Sequence, residues 1–84
     1  KQTENTYILE GRTSLNDLLK IIGEQYEHQI DEARGEAETL GGLIIEAAGR
    51  ILKNNEYIVI GPLKLIVVSS DKKRVKSVKV ILNE

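Results

Sequence analysis

Apolar residues recur along this chain with two periods, and the periods divide it into elements. From Glu38 to Lys53 (ETLGGLIIEAAGRILK), Leu40, Leu43, Ile44, Ala47, Ala48, Ile51 and Leu52 fall at i, i+3, i+4 and i+7 spacing, the pattern of a helix with one buried face. The stretch predicts a central helix with Thr39 as its N-cap. Its glycines need a reason, because an interior Gly costs about 1 kcal/mol relative to Ala. Gly41 and Gly42 fall in the first turn, where the cost is least and where a missing Cβ lets another backbone approach. Gly49 follows Ala47 and Ala48, and the three predict a small-residue surface for a sheet or a second helix. Glu46, Arg50 and Lys53 then take the wet side. A second, shorter helix starts at Ser14, which with Asp17 three residues on resembles a capping box; Leu15, Leu18, Leu19 and Ile22 mark its face and Gly23 ends it.

Elsewhere the period is two. Lys1–Asn5 is polar and predicts a frayed end. Thr6–Glu10 then alternates as a short strand that ends at a Gly11-Arg12 turn. Tyr57–Ile60 is apolar on both faces, which predicts an interior strand, and Gly61-Pro62 turns it. Leu63–Ser70 is a further strand with Leu63, Leu65 and Val67 on one face. After the Asp71-Lys72-Lys73 turn comes Arg74–Leu82, where Val78, Val80 and Leu82 keep period two but Val75 stands three residues before Val78. A bulge near Lys76-Ser77 puts both sets inward. The order predicts an α+β fold: a β-α-α-β-β-β two-layer sandwich, its sheet mainly antiparallel, with two helices on one face and the first strand at an edge or between meander strands.

Between the helices, Glu24–Glu38 keeps only a faint helical period (Tyr26, Ile30, Ala33, Ala37) among acids. It reads as an exposed acidic excursion, partly helical. Its six acids stand against one base, Arg34, whereas Lys64–Glu84 holds six bases against Asp71 and Glu84. That asymmetry says more than the net charge of -1, since the two regions could attract each other or meet separate partners. Candidate contact residues are Glu32 and Glu36 on the acidic side and Lys76 and Lys79 on the basic one, the lysines doubling as protection for a sheet edge. Basic strand residues without interleaved aromatics are a weak nucleic-acid signal.

Eighty-four residues make one domain, 1–84, with room for one aliphatic core. The absence of cysteine removes a disulfide framework, a thiol nucleophile and a thiolate metal site. His28, the one histidine, lies near Glu27, Asp31 and Glu32, but one imidazole among mobile carboxylates does not make a dedicated metal site. No nucleophile has a base beside it in the sequence, which argues against an enzyme. No stretch approaches the 18 or so apolar residues that span a bilayer. Beginning at Lys1 without Met, the chain reads as a piece of something longer.

The order TYILEGRTSLNDLLKIIG, ETLGGLIIEAAGRI, GPLKLIVV and KRVKSVKV resembles the transporter-associated domain at the C-terminal end of CorC/HlyC-type proteins, a group of haemolysin-like and magnesium/cobalt efflux-linked proteins. The most specific part is Thr39-Leu40-Gly41-Gly42-Leu43 followed by Gly49-Arg50, after the Gly11-Arg12 turn and the helix at Ser14. The chain departs from the family in a longer acidic link, in Leu52 where proline often stands, and in Leu65 where an aromatic often stands. The resemblance implies a noncatalytic accessory module that follows a pair of CBS domains. Its partners would be those CBS domains or a second copy. It would sit on the cytoplasmic side of a membrane-associated parent, or in the cytoplasm where the parent lacks a membrane region. The family fold is similar to a subdomain of FAD-binding flavoproteins, which raises FAD or an adenine nucleotide as ligand by fold analogy alone; no strand-GxGxxG-helix phosphate loop accompanies it.

Overall fold

The computed structural model describes residues 5–82; the start of the polar lead-in, residues 1–4, lies outside them. Ser14 is extended and its hydroxyl accepts from the Asp17 amide at 3.1 Å, which opens α1 (Leu15–Ile22). Thr39 does the same for α3 (Leu40–Ala48), its Oγ1 accepting from the Gly42 amide at 3.1 Å. The two caps are also neighbours. Leu15 N donates to the Glu38 carbonyl at 3.0 Å and Leu40 N to the Thr13 carbonyl at 2.8 Å, so the residues entering both helices pair as a short antiparallel bridge. This latch closes the chain between them into a loop of fixed ends.

That loop is more tightly held than its acids suggest. A 3-10 turn (Glu24–Tyr26) runs into α2 (Glu27–Arg34), and Tyr26 and Ile30 are buried while Glu24, Glu27, Asp31, Glu32, Glu36 and Glu38 stay exposed. Two apolar anchors suffice because both belong to the core cluster, Ile30 from α2, which packs on α3, and Tyr26 from the turn before it. The layer over the sheet therefore contains a third helix.

The sheet is antiparallel throughout, with β1 (Thr6–Glu10), β2 (Tyr57–Ile60), β3 (Leu63–Ser70) and β4 (Val75–Leu82) in the order β1-β4-β3-β2. The first strand joins at an edge, beside the last. The register slips between Val67 and Ser70, where Val67 pairs with Val78, Ser69 with Ser77 and Ser70 with Val75. The expected irregularity at Lys76-Ser77 is present, matched by one at Val68, and it leaves both Val75 and Val78 buried. The inner face (Leu63, Leu65 and Val67 of β3; Val78, Val80 and Leu82 of β4; Ile60 of β2) packs with Leu15, Leu18, Ile30, Leu40, Leu43 and Ile44 from the helices. One continuous aliphatic core results.

Four expectations fail, each for an identifiable reason. The central helix ends at Ala48 and not near Lys53, because Gly49 takes the left-handed conformation (φ 79°) and donates to the Ile45 carbonyl at 2.8 Å. Ile51 and Leu52 continue the spacing by coincidence, and Leu52 is buried because the chain bends back over the sheet. The small-residue surface is used only at Ala48, which packs against the core; Ala47 and Gly49 face solvent, and a Cβ at Gly49 would meet nothing within 4 Å. Gly49 serves its backbone angle, which costs an L-residue about 1–2 kcal/mol. Strand β2 lies at the sheet edge and not inside; it is apolar on both sides because the outer face of the sheet is itself apolar. Finally, Lys76 and Lys79 protect no edge, since β4 is flanked by β1 and β3.

Candidate functional site

Two surfaces stand out, one built from backbone and one from side chains. At the first, the Gly11-Arg12 turn lies between α3 and β4. Gly11 N donates to the Lys76 carbonyl at 2.7 Å and Gly41 N donates to the Gly11 carbonyl at 2.8 Å. A Cβ at Gly11 would collide with the Val75 carbonyl, and one at Gly41 would sit 3.1 Å from the Gly11 oxygen. Three backbone segments meet where no side chain fits. Beside this junction runs a groove of about 610 Å³ whose wall includes Arg12, Arg74 and Lys76, with Glu10 paired to Arg12.

The groove resembles an anion site at a helix N-terminus, but the amides that would make one are engaged. Leu40 N is bonded to Thr13, Gly41 N to Gly11, Gly42 N to the Thr39 hydroxyl and Leu43 N to the Thr39 carbonyl. The cap closes the helix end instead of presenting it.

Arg50 belongs to a different structure. Its guanidinium forks onto Glu56, Nη1 to Oε1 and Nη2 to Oε2, both at 3.0 Å, while Lys53 N donates to Oε1 at 2.7 Å. These bonds, the Arg50 ones first, hold the Glu56 carboxyl down to about 2. The same fork raises the Arg50 guanidinium above its ordinary value. They fasten the connection from α3 to β2, and Asn54 Oδ1 accepting from Ser70 N at 3.0 Å and Ser70 Oγ donating to the Leu52 carbonyl at 2.7 Å pin it to β3. Asp71 is lowered too, because it accepts from the Lys73 and Arg74 amides in its turn. Glu56, six residues after Arg50, has no apolar spacing to mark it in the sequence, and the break at Asn54-Asn55 just before it was the available signal.

The charged contact residues do not form one surface. Glu32 lies on α2, exposed and 3.1 Å from His28 Nε2, and Glu36 follows that helix. Lys76 lines the groove and reaches Asp71 at 4.0 Å, whereas Lys79 is on the outer face of the sheet opposite Ile8 and Ile66. Among the described residues the ion pairs join near neighbours in sequence, so the acidic helix layer and the basic sheet face are not joined by one. Among those residues, too, no three His, Asp or Glu side chains converge on a common point, and no helix is long and apolar enough to cross a membrane.

The second surface is the outer face of the sheet. Pairing aligns Ile8, Lys79, Ile66 and Tyr57 in one transverse row and Thr6, Ile81, Lys64 and Val59 in the next. Its apolar members at the sheet edges are open to solvent, Ile8 51% exposed, Tyr57 55% and Val59 62%, while Ile66 and Ile81 between them are half-buried. Lys64 Nζ lies 4.4 Å from the centroid of the Tyr57 ring.

The model of the transporter-associated domain family (CorC_HlyC) matches residues 1–84. A UPF0053 protein of Synechocystis is 30% identical over 84 residues, which are 100% of this chain but only 18% of that protein. The transporter-associated domain of a CBS domain protein from Porphyromonas gingivalis superposes with a TM-score of 0.84 at 28% identity, covering 99% of this chain and 94% of that one. A Mg2+ and Co2+ transporter (CorC)-associated region from Neisseria meningitidis shares the fold, with a TM-score of 0.80 at 23% identity over 98% of this chain and 94% of that one.

Proposed function

The chain belongs to the transporter-associated domain (CorC/HlyC) family, and from that premise we propose that it is a noncatalytic regulatory domain which acts by docking on another part of a longer protein. One observation carries this reading: the whole chain matches a curated relative of which it spans less than a fifth. A module of that kind has its effect through the remainder of the protein. The partner is a CBS-domain pair, as the Porphyromonas relative is a CBS domain protein, and the output is ion transport or a haemolysin-like activity biased by whether the domain is docked. The site of action is the cytoplasmic side of a membrane-associated parent.

The groove favours a second reading. Its volume lies within the range of about 300–1,000 Å³ of small-molecule sites, and Arg12, Arg74 and Lys76 on its wall suit an anionic ligand such as FAD or an adenine nucleotide. An amide NMR titration separates the two. The docking reading expects silence with magnesium, ATP and FAD and broadening with the CBS-domain pair. Saturable shifts confined to Gly11, Arg12, Gly41 and Lys76 on addition of a nucleotide, with no response to the CBS pair, would replace it.

A further inference from the structure

The geometry points to the outer face of the sheet as the docking surface, and to a polypeptide surface of apolar side chains interspersed with carboxylates, carried by the CBS-domain pair, as its occupant. This rests on the docking function proposed above and adds to it the face and the chemistry. The helices pack against the other side of the sheet, so strand alternation leaves Ile8, Tyr57, Val59, Ile66 and Ile81 turned away from the core. Of the large apolar side chains most exposed in the described residues, Ile8, Tyr57, Val59 and the neighbouring Val68 belong to the strands, and Ile21 alone to a helix. An apolar field of this kind, continuous across four strands, marks an interaction site.

Charge selects among the possible occupants. The field contains Lys64 and Lys79 and, at its rim, Glu10, which is engaged by Arg12 at 2.6 Å. A second copy stacked face to face would bring four lysines together without a free carboxylate among the described residues of the strands, and like charges in an interface cost affinity. A second copy presenting its acidic α2 would stack head to tail, a heterologous contact that leads to rings or filaments and not to a discrete pair. Among the described residues an anionic membrane would find on this face two lysines and short aliphatic side chains on a strand surface, without the long apolar helix face that enters a bilayer interface. An apolar protein face with carboxylates opposite Lys64 and Lys79 satisfies both features.

The test is an amide NMR titration of the 15N-labelled 84-residue chain with the CBS-domain pair, repeated for Lys64→Glu/Lys79→Glu and for the milder Lys64→Gln/Lys79→Gln, and with phosphatidylserine vesicles. The expected result is signal loss centred on Ile8, Tyr57, Val59, Ile66 and Lys79, affinity lowered at least tenfold by charge reversal and less by neutralisation, and weakening with salt. The Gln variant carries the test if charge reversal disturbs folding. Binding that maps to the groove or to α2 overturns this surface while leaving the docking function standing. No binding of the CBS pair overturns both. A response of the sheet face to vesicles, with none to the CBS pair, assigns the face to lipid and also overturns the proposal.

Discussion

The two faces of the sheet are made from the same strands by the same alternation, and they differ in what completes them. On the inner face Leu65, Val67, Val78 and Val80 are fully buried under three helices. On the outer face their sequence neighbours Ile66, Lys79 and Ile81, with Ile8 and Val59, complete nothing within the described residues. A strand such as β2, apolar on both sides, would ordinarily signal a position inside a sandwich. Here it marks an edge strand whose second side is open, so the excess of apolar residues exceeds what the fold requires.

This contrast can be broken by substitution, and the largest effect belongs to the inner face. Leu65→Ala should lower unfolding free energy by about 3 kcal/mol through lost burial and the cavity left behind, a large fraction of the roughly 5–10 kcal/mol available to a domain of this size; chemical denaturation measures it. Gly11→Ala comes next. Its methyl must displace the Val75 carbonyl and with it the Gly11–Lys76 hydrogen bond, a loss of about 2–3 kcal/mol typical of overpacking. Gly49→Ala strains one left-handed residue but meets no neighbour, so about 1 kcal/mol is expected. Equal losses for Gly11→Ala and Gly49→Ala would show that backbone angle and not close approach governs both.

On the outer face Ile8→Thr and Val59→Thr should stay within about 0.5 kcal/mol of the parent. The smallest effect is that of Glu56→Gln, seen in pH dependence. The Glu56 carboxyl, held at about 2 in the fold and near its ordinary 4.5 when unfolded, stabilises the fold fully above about pH 4.5, and that contribution is lost as pH falls toward 2. The variant should therefore show a flatter decline of the thermal midpoint between pH 4.5 and 2.

Much of this was legible in the sequence because it depends on local rules. Ser14 and Thr39 announce helix starts through their own hydroxyls, Gly23 announces a stop, and the three-residue step from Val75 to Val78 announces a bulge. What escaped depends on contacts between distant residues. Gly49 has the same sequence signature whether it packs or caps, and only its φ decides. The Ser14–Thr39 bridge joins residues 25 apart, and the Arg50–Glu56 fork crosses a turn whose shape the spacing does not encode. The charge asymmetry was visible, but its division between a helix layer and a sheet face follows from topology. Lys76 stands at the bulge and lines the groove, whereas Lys79 lies beyond it on the open face opposite Ile8 and Ile66, a division that only the paired strands reveal.

The central claim is that one face of the sheet holds the fold and the other binds a partner. It is tested most directly by measuring, on the double variant Ile8→Thr/Val59→Thr, both the thermal midpoint and the calorimetric affinity for the CBS-domain pair. The account predicts a midpoint within about 8 °C of the parent, as the summed cost of at most about 1 kcal/mol implies for this size, together with at least a tenfold loss of affinity. An unchanged affinity in a variant that stays folded would contradict it.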